Sequence, residues 1–495
     1  MIDMQKRSEI TRAFRLLILL AFSLIVSSSN CRKDDTNPPP DDPDPVDIGK
    51  AQVWLTKGDK TKLFNKETDL SIVETTSAYW PVITVDTASR FQTVDGFGAA
   101  LTGSSAYLLN NRMTADKRAQ TLEDLFDPVD GIGVSYLRLT MGASDFSLSD
   151  FTYDDMPAGQ TDFDLEQFSL AQDMEDVVPV LKEILQFSPD IGLMGTPWSP
   201  PAWMKTNGSM KGGKLKTECY EVYASYFVKY IQAMQNEGIT ISAITPQNEP
   251  LYFTASYPCM QMQAVEQLDF VKNHLGPQFV SAGLDTKIII YDHNWDVTDY
   301  AISILNDADA SQYIAGSAFH AYAGDVTAMS TVHYAHPDKE LHFTEISGGG
   351  WATDFGDNLM WNMRHIFIGT TQNWSKTALM WNLVLDQNYG PQNNGCSNCR
   401  GVVTYNTNTY NVTFNEEYYS IAHFSKFVRP GAARISAIVP PDLAGLGVVT
   451  FQNTDGTKAM VVCNYGAEFS TFTVKQDHRN FSYSVPPESV VTILW

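Results

Sequence analysis

Eight short apolar runs, spaced along the chain from residue 93 onwards, constrain the fold of this sequence more than any other feature. Each run has the length and composition of a strand buried on both faces, and helical stretches separate the runs. Eight parallel strands that alternate with helices are the number that closes a barrel. The predicted strands lie at about residues 93–99, 134–141, 191–198, 241–248, 287–294, 315–322, 340–346 and 376–384.

The segments between the runs carry helix signals of their own. Thr114 can cap a helix of good helix formers that reaches Phe126. Aromatic and aliphatic residues recur at helical spacing from Tyr220 to Met234, and Gly238 ends that segment. The chain is therefore predicted to be an α/β protein with a (β/α)8 TIM barrel over residues 93–427.

The two flanks of the barrel alternate in the manner of strands. Residues 50–92 and 428–495 read as β-structure, and Asp455-Gly456 and Tyr465-Gly466 are hairpin signals. We predict that these flanks combine into one side-attached β-sandwich domain formed by N- and C-terminal strands.

The first 49 residues carry export signals. Four Lys or Arg residues precede an apolar run from Leu16 to Val26, which is too short for a membrane span, and Cys31 follows. Residues 1–31 resemble a lipoprotein signal peptide with lipidation at Cys31, although Asn30 departs from the usual small residue. Residues 32–49 are rich in Asp and Pro and predict a disordered tether. We expect an outer-membrane lipoprotein exposed at the cell surface; a plain secretory signal with a stray cysteine is the alternative.

The net charge restricts the classes of ligand that the protein can bind, and the cysteine spacing allows three states of one cysteine pair. The net charge of -23 argues against nucleic acid and against polyanionic substrates, because both need clustered Lys and Arg. Cys396 and Cys399 could form a loop disulfide, half of a zinc site or a free thiol pair.

Two of the predicted strands end in a glutamate. The run from Ile241 stops at Asn248 and Glu249 before Pro250, and a second run stops at Glu345. In a parallel barrel these strand ends converge on one face, where catalytic groups lie. Hydrolysis of a glycosidic bond needs one carboxylic acid and one carboxylate, which this pair can supply. The alternative without a catalytic role is that Asn248-Glu249-Pro250 forms an ordinary turn in which Glu249 is solvated.

The other strand ends add acidic, aromatic and amide side chains to the same face. Individually each has a structural explanation, such as a buried ion pair for Arg138, a core histidine for His320 or packing for Trp381. Their shared position at strand ends is what those explanations do not predict. The residues are Asp95, Arg138, Asp145, Trp198, Trp203, Asp292, His293, Trp295, His320, Tyr322, Trp381 and Asn382.

Several long motifs, in order along the chain, resemble glycoside hydrolase family 30, which includes glucosylceramidases and microbial β-1,6-glucanases. They are Val94–Thr102, Tyr136–Leu139, Ser144–Ser147, Pro197–Gly208, Thr245–Pro250, His320–Tyr322 and Phe343–Glu345. The resemblance covers about residues 93–425 and implies a (β/α)8 barrel with a side β-domain.

The resemblance also implies a retaining mechanism, with Glu249 as acid/base and Glu345 as nucleophile. Glu249 should keep its proton near neutral pH, because a charged Glu345 opposes a second negative charge. No metal and no cofactor are implied. The implied substrate-binding residues are Arg138, Asp145, Trp198, Asn248, His320, Tyr322 and Trp381.

The substrate is narrowed by similarity to branches of the family. Asp145 and Trp198 match the glucose-selective pattern, and the segments from Trp381 to Asn388 and from Cys396 to Arg400 resemble the β-1,6-glucanase branch. We expect an endo-β-1,6-glucanase acting on β-1,6-glucan. The alternatives are a glucosylceramidase or exo-β-glucosidase of the same family, and a non-catalytic surface glycan-binding lipoprotein.

Overall fold

The structure is a computed structural model that describes residues 46–75 and 77–495. The predicted signal peptide, its lipidation site Cys31 and most of the predicted tether lie outside the described residues. The first strand begins at Val46, inside the predicted tether, because Val46–Ala51 pairs with Leu70–Glu74. A partner so far along the chain cannot be inferred from local composition. None of the described helices is both long and apolar enough to cross a membrane.

Eight parallel strands form a closed barrel, as predicted. In chain order each strand pairs with the next, and the eighth pairs with the first. The fourth strand is the shortest, because its run ends early at Thr245-Pro246. The eight strands are Gly96–Leu101, Tyr136–Met141, Gly192–Pro197, Ala243–Ile244, Lys287–Asn294, Ile314–His320, Glu340–Glu345 and Ser375–Met380.

Helices follow every barrel strand and cover the outside of the barrel. The structure confirms both predicted helix ends. The Thr114 hydroxyl accepts a hydrogen bond from the Lys117 amide (3.4 Å) at the start of one helix. Gly238 adopts a φ of 80° just after the helix Tyr220–Asn236, which follows the third barrel strand. Within residues 46–75 and 77–495, the α-helices are Gly103–Tyr107, Ala115–Phe126, Val177–Phe187, Tyr220–Asn236, Ala264–Phe270, Gly276–Ser281, Thr298–Leu305, Ala308–Ser311, Ala328–Ala335, Phe355–Trp361, Ile368–Gln372 and Glu416–Ser425.

Two layers of apolar packing hold the barrel together. Small and medium side chains such as Met194, Ile289 and Leu379 fill its interior. A larger core lies between the strands and the surrounding helices, and the stripe from Tyr220 to Met234 is buried there rather than in a cleft. The interior is thus a packed core, so the site can form only at an end of the barrel.

Strands from both ends of the chain form the side domain, as predicted. The strand Val46–Lys57 pairs with Ser489–Leu494 and also with Leu70–Glu74, so that the ten-stranded sheet curls back on itself around its own apolar core. The remaining strands of this sheet are Asn65–Lys66, Val82–Thr93, Ala433–Ile438, Leu446–Gln452, Lys458–Asn464, Ser470–Gln476 and Arg479–Val485.

Short strands extend the loops above the barrel. Val384–Asp386, Val403–Tyr405 and Val412–Phe414 form a three-stranded sheet, and Gly348–Gly349 pairs with Cys399–Arg400. These additions form part of the rim around the carboxyl ends of the barrel strands.

A buried histidine joins the barrel to the side domain. His423, on the helix that follows the eighth barrel strand, lies 2.8 Å from the hydroxyl groups of both Thr492 and Thr56. The Thr492 hydroxyl donates to the His423 carbonyl, so it accepts from Nδ1–H, and Nε2 accepts from Thr56. Burial lowers the pKa of His423 to about 3.

Candidate active site

The two predicted glutamates converge at the carboxyl ends of the fourth and seventh strands. A carboxylate oxygen of Glu249 and one of Glu345 lie within 4.8 Å of each other, and both lie within that distance of His320. Glu249 has a φ of 43°, which is uncommon for a residue with a side chain, and Pro250 follows it. Its amide donates to the Asp292 carbonyl (3.0 Å), and this bond holds the strained turn.

Arg138 lies at the centre of the site and is fully buried. Its guanidinium donates from Nη1 to Glu345 (2.5 Å) and from Nη2 to Asn248 (2.6 Å) and Asp292 (2.8 Å). A buried arginine with this geometry fixes the positions of three side chains from three different strands. The Asn248 oxygen accepts from Arg138, which leaves its amide nitrogen as the group that can donate to a ligand.

Two β-bulges determine which side chains enter the site. The fifth strand has one extra residue at Asp292 opposite the sixth strand, and the seventh strand has one at Thr344. The Thr344 hydroxyl donates to Asp292 (2.7 Å), which also accepts from Thr245 (2.8 Å). Bulges commonly re-aim side chains next to active sites. Here they place the Asp292 carboxylate beneath Arg138 and His320.

The two glutamates have different neighbours. Glu345 accepts from Tyr322 (2.9 Å) in addition to Arg138. Glu249 lies 3.2 Å from Nδ1 of His320, whose Nε2 lies 3.0 Å from Asp292. His320 therefore connects a buried carboxylate to Glu249, whereas Arg138 and Tyr322 hold Glu345.

The pKa of Glu249 shifts in the direction opposite to the one expected from the sequence. Burial would lower the pKa of His320, but Glu345, Asp292 and Glu249 together raise it to about 9. Burial would raise the pKa of Glu249, but the hydrogen bond and charge of His320 lower it; burial raises the pKa of Glu345. These directions favour an ionised Glu249 beside a protonated His320 in the free protein.

A cavity of about 450 Å³ opens above the two glutamates. Trp198 and Trp381 stack at 5.2 Å between ring centroids, and the Arg138 guanidinium lies 4.9 Å from the Trp198 ring. Burial raises the pKa of Asp145, which shares this wall. Further lining is provided by Tyr252, Tyr257, His293, Asn294, Trp351 and the disulfide Cys396–Cys399.

The structure brings most of the predicted site residues together. Asp145, Trp198, Asn248, Tyr322 and Trp381 line the cavity with the glutamates, whereas Arg138 and His320 lie beneath it. Four other predicted strand-end residues lie outside the cavity lining. The Trp203 indole donates to Asp154, and Asp95 pairs with Lys376. Trp295 packs on Phe343, and Asn382 accepts from the Thr102 hydroxyl.

Asp292 is the functional residue that the predicted site omitted. It was recognised as a strand end, but its central role depends on a bulge that the sequence does not display. Its buried ion pair with Arg138 and its bond to His320 lower its pKa far below the usual range, although burial acts in the opposite direction. Tyr252, Tyr257 and Asn294 line the cavity from loops or strand ends and carry no motif that would have identified them.

Two clusters among the described residues have donor atoms close enough to surround a metal ion. One is Glu249, His320 and Glu345, and the other is Asp95, Glu340 and His342. Each already contains a cation, because Arg138 pairs with Glu345, and Lys376 pairs with both Asp95 and Glu340. We assign neither as a metal site.

Comparison with known proteins gives matches over both parts of the chain. A family model described as the glycosyl hydrolase family 30 TIM-barrel domain matches residues 94–428, and one described as the family 30 beta sandwich domain matches residues 431–493.

Individual relatives match most of the chain. The endo-1,6-beta-D-glucanase neg1 of Aspergillus fumigatus is 35% identical over 443 residues, which cover 83% of this chain and 87% of the relative. Putative glucosylceramidase 4 of Caenorhabditis elegans is 30% identical over 481 residues, covering 91% and 90%. The solved structure of the endo-beta1,6-glucanase BT3312 has a TM-score of 0.85 at 39% identity and covers 90% of this chain and 99% of that chain.

Proposed function

This chain belongs to glycosyl hydrolase family 30, and from that premise we propose that it is a retaining endo-β-1,6-glucanase with Glu249 as acid/base and Glu345 as nucleophile. The carrying observation is that oxygens of the two carboxylates lie within 4.8 Å. Retaining glycosidases have carboxyl groups about 5–5.5 Å apart, whereas inverting ones need about 6.5–9.5 Å to admit a water.

The neighbours of each carboxylate support these two roles. Arg138 and Tyr322 hold Glu345 in position, and the Arg138 charge acts against the effect of burial on the Glu345 pKa, which suits a carboxylate that attacks the anomeric carbon. Glu249 has a more exposed side chain and a proton source in His320 at 3.2 Å. In the first step Glu345 bonds to the anomeric carbon while Glu249 protonates the departing oxygen. In the second step Glu249 takes a proton from water, which attacks that carbon and releases Glu345.

His320 supplies the proton for the first step. In the free protein it resides on the imidazole, whose Nδ1 faces the Glu249 oxygen. A bound sugar displaces water from the cavity and buries Glu249 further, which favours its neutral form. The proton then moves across one hydrogen bond to Glu249, and the imidazole remains held by Asp292.

The proposed substrate is supported both by relatives found by sequence and by a relative of known structure. Two relatives described above carry an endo-1,6-glucanase name, at 35% and 39% identity, whereas the glucosylceramidase relative is 30% identical. The cavity wall of Asp145, Trp198 and Trp381 offers aromatic faces and a carboxyl group, which suit an uncharged glucose ring.

A time course on β-1,6-glucan tests this proposal. The protein should release a ladder of oligosaccharides that shortens with time, and a Glu345→Ala variant should release none. Glucose as the sole product would indicate exo action. Cleavage of glucosylceramide or an aryl β-glucoside without any cleavage of β-1,6-glucan would favour the glucosylceramidase or exo-β-glucosidase alternative.

We also propose that the protein is an outer-membrane lipoprotein exposed at the cell surface and anchored through Cys31. The support is the sequence of residues 1–49: a basic segment, a short apolar run, Cys31 and an acidic Pro-rich tether. When the protein is expressed in a Gram-negative bacterium, labelled fatty acid should be incorporated by the wild type and not by a Cys31→Ser variant. Equal labelling of both would overturn the assignment.

A further inference from the structure

A second cavity, of about 510 Å³, adjoins the catalytic one and has no role in the chemistry described above. Tyr322 and Trp351 line both cavities, so a ligand that leaves the first at this edge enters the second. The second cavity lies between the loop that follows Glu345 and the helix Phe355–Trp361.

The lining of this second cavity has the chemistry of a carbohydrate site. Trp351 is 54% exposed and Trp361 is 41% exposed, although tryptophan is highly buried on average in folded proteins. Asp357, Asn358 and Asn362 alternate with these aromatic faces. Apolar faces with a few polar groups suit a sugar ring, which has an apolar face and a rim of hydroxyl groups.

A buried, incompletely bonded carboxyl group gives independent evidence of a missing ligand. Glu417 lines the cavity and is 2% exposed. Its Oε1 accepts from Arg400 (2.8 Å), whereas its Oε2 has no hydrogen-bond partner among the described residues. Buried polar atoms are nearly always bonded, so this unpartnered oxygen on a residue of the cavity lining indicates a missing partner, either a ligand hydroxyl or a water.

The second cavity adjoins two parts of the wall of the catalytic cavity. The Tyr322 amide donates to Asn294 (3.1 Å), and Asn294 and His293 form the catalytic wall beside Glu249. The opposite wall, with Asp145 and the stacked tryptophans, receives the glucose unit that Glu345 attacks. Through Tyr322 the second cavity adjoins the wall of Asn294 and His293, and through Gly348 and Gly349, which pair with Arg400 and Cys399, it also adjoins the disulfide loop.

We propose that the cavity lined by Trp351, Trp361, Asp357 and Glu417 binds glucose units of the β-glucan chain that lie beyond the catalytic cavity. This inference rests on the proposed function and adds an extended subsite to it. An endo-acting enzyme needs contacts on both sides of the bond that it cleaves, and this cavity supplies distal contacts on one of those sides.

The test compares three substrates with Trp361→Ala and Asp357→Ala variants. An aryl β-glucoside occupies only the catalytic cavity, so its kcat/KM should be unchanged. For long β-1,6-gluco-oligosaccharides, loss of one aromatic face should lower kcat/KM about three- to tenfold, mainly through KM. With a hexasaccharide labelled at its reducing end, the variants should release labelled fragments of different length from those of the wild type.

Trp80→Ala is the matched control, because Trp80 is 43% exposed in the side domain and lines neither cavity. The inference is overturned if the wild type cleaves the oligosaccharides and both cavity variants have the same kcat/KM on them as Trp80→Ala. It is also overturned if the cavity variants lose as much kcat/KM on the aryl glucoside as on the oligosaccharides. A wild type that turns over the aryl glucoside but no β-1,6-glucan would instead overturn the proposed function, and the inference with it.

Discussion

At the scale of single residues, the two glutamates of the site, Glu249 and Glu345, differ in their hydrogen-bond partners, and this difference supports their different proposed roles. Glu345 is held by Arg138 and Tyr322, and Glu249 faces His320. Asp292 bonds to both Arg138 and His320 and so links the two halves of the site. Its buried anion keeps both cations in place, because removing one partner of a buried ion pair leaves an uncompensated charge.

Glu249→Ala should separate substrates by their leaving groups. Sugars with poor leaving groups need protonation and should lose about 10²–10⁴-fold in kcat, whereas aryl glucosides with activated leaving groups should lose far less in the first step. Rates measured on β-1,6-linked oligosaccharides and on a dinitrophenyl glucoside provide the comparison. Equal losses on both would remove Glu249 from the acid role.

His320→Asn should move the basic limb of the pH profile. The pKa of His320 is raised to about 9, above its usual value, so the wild type should hold the acid proton until the pH rises through about 9. In the variant only Glu249 can hold that proton, and kcat/KM should decline from a lower pH.

The control for this variant is His478→Asn, at an exposed position in the side domain. It should keep the wild-type profile. A basic limb that stays in place in His320→Asn, with only a uniform loss of rate, would show that His320 has a structural role alone.

At the scale of elements, the barrel was predictable and the bulges were not. Strand runs, helix caps and the convergence of Glu249 and Glu345 follow from local patterns that repeat along the chain. The inserted residues Asp292 and Thr344 depend on pairing with neighbouring strands, which no local pattern reports. For the same reason the sequence placed Asp292 at a strand end without giving it a role.

The loop that carries the disulfide covers one wall of the catalytic cavity. The Asn393 amide donates to the Asp145 carbonyl (2.7 Å), and Gly395 lies so close to the Asp145 side chain that an added Cβ would come within 2.4 Å of it. Cys396 and Cys399 close this loop and line the cavity themselves. The sequence left a disulfide, a zinc half-site and free thiols open, and the structure shows the disulfide.

Replacing both cysteines by serine should therefore loosen the wall and raise KM for glucan severalfold, with a smaller change in kcat. Steady-state kinetics of the Cys396→Ser/Cys399→Ser variant check this. The control is a reducing agent, which should raise KM of the wild type and leave the variant unchanged. An unaltered KM in the variant would show that backbone contacts alone hold the loop.

At the scale of the whole molecule, the two ends of the chain build one domain, and that domain packs on the barrel through His423. Because the pKa of His423 is lowered to about 3, the unfolded chain binds a proton between about pH 6.5 and 3 that the folded protein does not. Its contribution to stability is therefore complete above pH 6.5 and is lost as the pH falls through that window.

His423→Gln should remove this part of the acid dependence. Urea unfolding at several pH values should show the wild type losing up to about 1.4 kcal/mol per pH unit from this group, and the variant losing correspondingly less. His478→Asn should keep the wild-type slope, because its side chain is exposed. Parallel slopes for the wild type and His423→Gln would contradict the account.

The central claim is that two carboxylates within 4.8 Å perform a retaining cleavage of β-1,6-linked glucose. Proton NMR during the first minutes of β-1,6-gluco-oligosaccharide hydrolysis tests it most directly, because it reports the anomer before the product equilibrates. The account predicts that the β-anomer of the new reducing end appears first and then converts slowly to the equilibrium mixture. Initial formation of the α-anomer would contradict it.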